Sequence, residues 1–243
     1  MTINFDNKNV LVIGGSSGIG RGIADTFISY KANVCITGTK PKITDYEEKI
    51  SKNIFKCDYK QLDLSNHNNL SSFSLPFERL DHLICSQGIV AYKRKEFEMK
   101  TFKKVVDLNL NSIMASCNFF QKKLSISKGS IIIIGSGASY HSVKGNPAYS
   151  ASKGGLLTLI KTLGEAWAEN NIRVNGIAPG FVATKLTSIT YENEKRYQET
   201  LNRIPLRRWG TPRDMGELAC FLCSDLASYI TGQMITVDGG MSL

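Results

Sequence analysis

Seven short runs rich in β-branched and apolar residues alternate with longer stretches of helical periodicity, and this alternation limits the possible folds more than any other feature of the chain. The runs fall at residues 9–13, 33–37, 59–63, 81–85, 130–134, 172–177 and 234–237. The intervening stretches predict helices at 18–30, around 43–51, and at 66–72, 98–124, 148–169 and 213–224. Strand–helix alternation of this kind builds parallel βαβ units, which wind into one open sheet with helices on both faces. The expected fold class is therefore α/β, a doubly wound seven-stranded parallel sheet, and 243 residues suit a single domain, 1–243. In such sheets ligands bind outside the carboxyl ends of the strands. The polar stretch 184–208 breaks the pattern. It reads either as a lid over a substrate or as a mobile surface loop.

Composition narrows the function classes. With 42% hydrophobic and 21% charged residues the chain can bury a core. It has no apolar run long enough to span a bilayer. The N-terminus lacks a basic segment and an apolar signal core, so a cytoplasmic protein with no membrane partner is expected. A net charge of +9 raises the question of nucleic acid, yet the basic clusters Lys93-Arg94-Lys95 and 203–208 lack interleaved stacking aromatics. No nucleic-acid partner is expected; a preference for anionic substrates uses the charge better. Cys220 and Cys223 form the chain's C-x-x-C pair, but inside an apolar helical stretch they read as small core residues. The histidines at 67, 82 and 141 show no ligand spacing, so no metal site is expected.

The first strand runs directly into Gly14-Gly15-Ser16-Ser17-Gly18-Ile19-Gly20. Glycines at 14, 18 and 20 allow a tight turn that opens a helix, whose N-terminus then faces a pyrophosphate. Gly14, Ser16, Ser17, Gly18, Ile19 and Gly20 are thus candidate dinucleotide contacts. An acid at the end of the second strand would bind the adenosine ribose and repel a 2′-phosphate. This chain has Gly38, Thr39 and Lys40 there, which favours NADP(H) and leaves NAD(H) possible. Lys40 reads equally as a surface lysine at a turn. Asp63, closing the third predicted strand, is placed to meet the adenine, while a helix N-cap role for the residues around it is the other reading.

Ser136 follows the apolar fifth run, and Tyr149 and Lys153 stand four apart on one face of a predicted helix. A neighbouring ammonium favours phenolate and would lower the tyrosine pKa toward working pH, making Tyr149 a general acid or base for a carbonyl oxygen. Ser136 emerges at the same sheet edge, where its hydroxyl can hold a developing oxyanion.

With Gly14-x-x-x-Gly18-Ile19-Gly20, Asp63, Asn109, Ser136, Tyr149-x-x-x-Lys153, Asn175-x-x-Ala178-Pro179-Gly180 and the 231–240 tail, the sequence resembles the short-chain dehydrogenase/reductase family over essentially its whole length. The resemblance implies a Rossmann fold and a catalytic set of Asn109, Ser136, Tyr149 and Lys153. It further implies that Tyr149 and Lys153 also contact the cofactor, with Lys153 on the nicotinamide ribose, and that Asn109 holds a water in a proton relay. Asp63 and Leu64 would flank the adenine, Gly88 would line the channel, and Pro179, Gly180, Val182 and Thr184 would anchor the carboxamide. Two departures stand out: Ile13 where the family usually has threonine, and Cys85-Ser86-Gln87-Gly88 where it usually has Asn-Asn-Ala-Gly. Within the family, Arg203 to Pro212 and Asp238-Gly239-Gly240-Met241 look like 3-oxoacyl-(acyl-carrier-protein) reductases, although sugar, polyol and steroid dehydrogenases share that wording. Those reductases tend to carry arginine at the carrier-docking positions where this chain has Ser127-Lys128 and Asn170. An acyl-thioester substrate is the first expectation. A sugar, polyol or cyclic ketone is the second, and a non-catalytic nucleotide sensor the rival class. Family resemblance also implies a homotetramer, or failing that a dimer, with Tyr92, Gly137, Ser139 and His141 shaping the substrate pocket.

Overall fold

The computed structural model describes residues 3–46 and 56–243. Its strands are β1 (Asn9–Ile13), β2 (Asn33–Gly38), β3 (Asp58–Gln61), β4 (His82–Cys85), β5 (Ser130–Ile134), β6 (Arg173–Pro179) and β7 (Met234–Val237). They form one sheet in the order β3-β2-β1-β4-β5-β6-β7, every neighbouring pair parallel. The chain reverses its winding between β1 and β4, and this switch point opens a crevice at the carboxyl edge.

Side-chain alternation explains why the strands read as unbroken apolar runs. Val10, Val12, Ile132 and Ile134 pack on one face against Ile23, Phe27, Met215 and Leu222. Leu11, Ile13, Ile131 and Ile133 pack on the other, against Ile113, Phe120, Leu156 and Ile160. A parallel sheet covered on both faces leaves no side for polar residues. The covering helices are α1 (Gly18–Ser29), α2 (Met99–Val106), α3 (Ser112–Ser127), α4 (Pro147–Ala166) and, beyond two short helices α5 (Ser188–Tyr191) and α6 (Glu194–Arg203), α7 (Pro212–Cys223). Prolines at the first positions of α4 and α7 suit helix starts, because the missing N–H is one the helix cannot use. At Thr211, α7 also carries a reciprocal capping box with Asp214.

Several expected elements differ. The helix expected at 66–72 is a single 3-10 turn, His67–Leu70, with the Asn66 side chain accepting from the Asn68 N–H. Asn and Ser side chains here bond to nearby backbone and compete with a helix. The helix expected around 43–51 is a 3-10 turn, Ile43–Asp45, for its first part; positions 47–51 lie outside the described residues. The third strand ends at Gln61, so Asp63 does not close it; its Oδ1 accepts from Ser65 N at 2.9 Å in the turn beyond. The helix expected at 98–124 is interrupted by a π-helical turn, Asp107–Asn111, between α2 and α3. The stretch 184–208, polar and long for a connection, holds a 3-10 turn (Lys185–Thr187), α5 and α6 and is non-helical from 204 onward. Tyr191 and Tyr197 from it pack on Trp209, with Phe181 on the far side.

Candidate active site

The turn after β1 is shaped by close approach. Gly14 and Gly18 adopt left-handed φ values of 76° and 55°. A Cβ at Gly20 would overlap the Gly14 carbonyl, so α1 starts closer to its strand than any side chain permits. The Gly14 N–H donates to the Thr37 hydroxyl at 3.3 Å, tying the turn to the end of β2. Ser17, the N-cap of α1, makes no side-chain cap bond. The positive end of the helix dipole points toward the crevice, and the first turn of α1 carries no acidic side chain.

Opposite this turn stand three side chains from β5 and α4. Ser136 lies two residues past the end of β5, and its Oγ accepts from the Ala138 N–H at 3.2 Å. Tyr149 and Lys153 lie one turn apart on α4. Lys153 is only 4% exposed; its ammonium donates to the Ile134 carbonyl at 2.8 Å and stands 5.7 Å from the centre of the Tyr149 ring. Burial lowers the Lys153 pKa from 10.5 to about 8, because the charged form loses its hydration. Burial also raises the pKa of Tyr149, with Tyr92 and Glu96 pushing the same way and a hydrogen bond with Ser136 pulling down. The sequence reading expected the ammonium to lower this tyrosine. In the structure burial outweighs it, and the ammonium is engaged by a backbone carbonyl.

Asn109 sits in the π-turn, fully buried. Its Oδ1 accepts from Ile89 N at 2.8 Å, while its Nδ2 donates to the Ile89 carbonyl at 2.9 Å and to Ser152 Oγ at 3.2 Å. The Ser152 hydroxyl donates in turn to the Tyr149 carbonyl at 2.8 Å. A Cβ at Gly88 would sit 3.3 Å from Asn109 Oδ1 and 3.8 Å from Lys153 Nζ, so a glycine lets this segment lie against both. A π-turn carrying such a residue is a frequent accompaniment of functional sites.

These elements enclose a cleft of about 520 Å³. It is lined by Gly14, Ser16, Ser17, Gly18, Ile19 and Gly20 at one end and by Ser136, Tyr149 and Lys153 at the other. Gly38, Thr39, Asp63, Leu64, Gly88, Pro179, Gly180, Val182 and Thr184 fill the walls between. Two of the expected catalytic and cofactor-binding residues, and Gly137, Ser139 and His141 of the expected substrate pocket, are not among its lining. Asn109 lies behind the wall. Lys40 lines a neighbouring hollow with Arg21, Ser17, Tyr46 and Thr184, its ammonium turned to the Asp45 carbonyl and 5.2 Å above the Tyr46 ring. Among the residues expected at the substrate end, Tyr92 lines the cleft and its hydroxyl donates to the Leu186 carbonyl at 2.6 Å, bridging to the 184–208 segment.

Sequence reasoning missed Tyr46, Gln87 and Glu96. Tyr46 and Gln87 line the cleft. Tyr46 comes from a polar turn with no periodic signal, and Gln87 stands where the family pattern has alanine. Glu96 follows Lys93-Arg94-Lys95 and reads as part of a solvated charge cluster, whereas the fold buries it completely. The cysteines behave as packing. Cys85 is fully buried and hydrogen-bonded to Cys117, while burial raises Cys220 and takes Cys223 to about 12, so Cys85, Cys220 and Cys223 are not activated as thiolates. No helix among the described residues is long and apolar enough to cross a membrane.

Residues 14–242 match a family model described as enoyl-(acyl carrier protein) reductase. A 3-oxoacyl-(acyl-carrier-protein) reductase of Chlamydia muridarum is 34% identical, over 97% of this chain and 98% of that protein. A 2-dehydro-3-deoxy-D-gluconate 5-dehydrogenase of Bacillus subtilis is 32% identical, over 98% of this chain and 95% of that one. A crystal structure of a candidate 2-deoxy-D-gluconate 3-dehydrogenase from Agrobacterium tumefaciens, with bound NADP, superposes with a TM-score of 0.89 at 29% identity, covering 99% of this chain and 98% of that one. Matching along nearly the whole length, over one seven-stranded parallel sheet and one cleft, these comparisons establish that the chain belongs to the short-chain dehydrogenase/reductase family, oxidoreductases of keto and CH–OH groups.

Proposed function

We propose that the chain interconverts a ketone and a secondary alcohol by hydride transfer with a nicotinamide cofactor, NADP(H) in preference to NAD(H), using Tyr149 as general acid and base. One observation carries this reading. A half-buried tyrosine and a buried lysine from one helix face, with a strand-end serine, share a single cleft with a glycine-rich helix start. The residues present fit a dinucleotide. The start of α1 brings its dipole to the cleft without an acidic side chain in its first turn, and glycines at 14, 18 and 88 open space that a Cβ would fill or strain. Gly14 to Gly20 would hold the pyrophosphate, Gly38, Thr39 and Lys40 with Asp63 and Leu64 the adenosine, and Pro179, Gly180, Val182 and Thr184 the carboxamide. When bound, the cofactor supplies or accepts the hydride.

The chain's own groups handle the proton and the charge. In reduction Tyr149 donates its phenolic proton to the carbonyl oxygen, and its raised pKa keeps that proton available at neutral pH. Ser136 holds the same oxygen as charge develops on it. Lys153 stabilises the tyrosinate left behind and would also hold the nicotinamide ribose. Asn109, fixed on Ile89, orders the water that resupplies the proton. Oxidation reverses each transfer.

The leading substrate is a 3-oxoacyl thioester, supported by the relatives named for that activity and by the net charge of +9. A sugar-acid ketone is the second reading, supported by the gluconate dehydrogenases among the relatives and solved structures. We place a lid at 184–208, and assembly as a homotetramer is consistent with exposed Phe119 and Ile126 on α3. The test is to follow NADPH and NADH absorbance separately against acyl thioesters and keto sugar acids, with wild type and Tyr149→Phe side by side. Turnover by wild type and its loss in the variant support the reading; equal turnover by both overturns it.

A further inference from the structure

Glu96 is the one carboxylate among the described residues with no exposed surface, and its partners identify its task. Oε1 accepts from the Ala91 N–H at 2.9 Å and from Asn146 Nδ2 at 3.2 Å; Oε2 accepts from the Tyr149 N–H at 2.9 Å. All three partners are donors. Two are peptide groups that cannot turn round, and they belong to separate elements: Ala91 to the segment after β4, Tyr149 to the first turn of α4. Asn146, which precedes α4, closes the ring by also donating to the Ala91 carbonyl at 3.1 Å. The segment that delivers Glu96 holds two consecutive non-glycine residues in the left-handed region, Lys93 and Arg94, each at φ 59°. Such backbone costs energy and persists only where the surroundings enforce it.

We infer that Glu96 is a positioning residue for the reaction: its buried carboxylate sets the height of Tyr149 over the cleft and clamps the start of α4 to the segment carrying Tyr92. The inference rests on the proposed role of Tyr149. A glutamine at 96 has the same shape, but its NH₂ would confront either the Ala91 or the Tyr149 N–H, so only an acceptor on both arms serves. The carboxylate also acts through space. Ser136, Tyr92, Glu96 and Lys153 are the groups that face the phenol, and Glu96 is one of those holding its proton on.

The test compares Glu96→Gln with Asn146→Ala. The glutamine variant loses one clamp bond and the charge, so kcat falls by roughly ten- to a hundredfold, as misplacement of a reacting group does. The KM for NADPH stays within about twofold, because the glycine-rich turn lies elsewhere. In the oxidative direction Tyr149 must start deprotonated, so loss of a neighbouring negative charge moves the rising limb of the pH profile down. Asn146→Ala keeps the charge and removes one donor; kcat falls several-fold and the limb does not move down. A folded Glu96→Gln enzyme with wild-type kcat and an unmoved limb overturns the inference. Should that variant not fold, wild-type kcat in Asn146→Ala overturns it. If Tyr149→Phe retains turnover, the role of Tyr149 has failed on its own account, whatever the Glu96 result.

Discussion

The two ends of the cleft are walled by different means. At the end formed by β5, α4 and the π-turn, polar groups are fixed by protein partners away from solvent: buried Lys153 by a strand carbonyl, buried Asn109 by both polar atoms of the Ile89 backbone, the Tyr149 backbone by buried Glu96. At β2 the wall is a surface turn in which exposed Lys40 leans on Tyr46 and the Tyr59 hydroxyl donates to the Lys40 carbonyl at 2.5 Å. The first arrangement fixes a few atoms in a dry environment that shifts their proton affinities. The second leaves its cation solvated and its geometry adjustable. On the proposed roles, the contrast places proton chemistry in the core of this fold and nucleotide choice at its surface.

That contrast can be broken from the buried end first. Tyr149→Phe is expected to lower kcat/KM by about 10²–10⁴-fold with little change in stability, because the ring still fills its site. Lys153→Met should also abolish most turnover, and it carries a second signature. Because Lys153 titrates near 8 in the fold against 10.5 when free, the unfolded chain takes up its proton first as pH falls. Stability therefore declines from about pH 10.5 to about pH 8 and is level below. In Lys153→Met this slope disappears. Relief of the buried charge is worth about 3 kcal/mol and loss of the donor to Ile134 returns ~1–2, so the variant should be more stable by about 1–2 kcal/mol at neutral pH. Denaturant midpoints measured across that pH range check both the slope and the sign. In the wild type, activity that depends on the ammonium should fall as pH rises through about 8.

The exposed end should respond more gently. Lys40→Ala is expected to lower kcat/KM for NADPH by about three- to tenfold while leaving NADH nearly unchanged, since one solvated ion pair contributes about 1 kcal/mol. The ratio of the two cofactors' kcat/KM measures it, and raised salt should shrink the difference. A loss as large as that of Tyr149→Phe would erase the distinction between the two ends.

Much of the frame was legible because apolar runs leave little freedom. The bounds of β1, β5 and β7 agree with the sequence reading, each run being cut off by polar or glycine residues. β3 shifted because Asp58-Tyr59-Lys60-Gln61 is a half-exposed edge strand with no apolar pattern to locate it. In the site, the convergence of Ser136, Tyr149 and Lys153 followed from topology, since strand ends and one helix face meet at the carboxyl edge. What stayed hidden depended on long-range burial. Glu96 reads as one more charge after three cations, and only the packed fold shows it as an anchor. The proton affinity of Tyr149 was misjudged for a related reason, because four-residue spacing reveals the lysine but not the depth at which both are buried.

The π-turn at Asp107–Asn111 holds one residue more than an α-helical turn would. Everything beyond it on α3 is thereby rotated about 100° from where an unbroken coil would have set it. Shortening that turn by a single residue would restore a regular rod from α2 through α3. It would also swing Ile113, Cys117, Phe120 and Leu124 off the sheet and withdraw Asn109 from Ile89. Regularity and registration with the cleft are thus alternatives in this helix, and a deletion within it would disturb the hydrophobic packing and the proposed relay together.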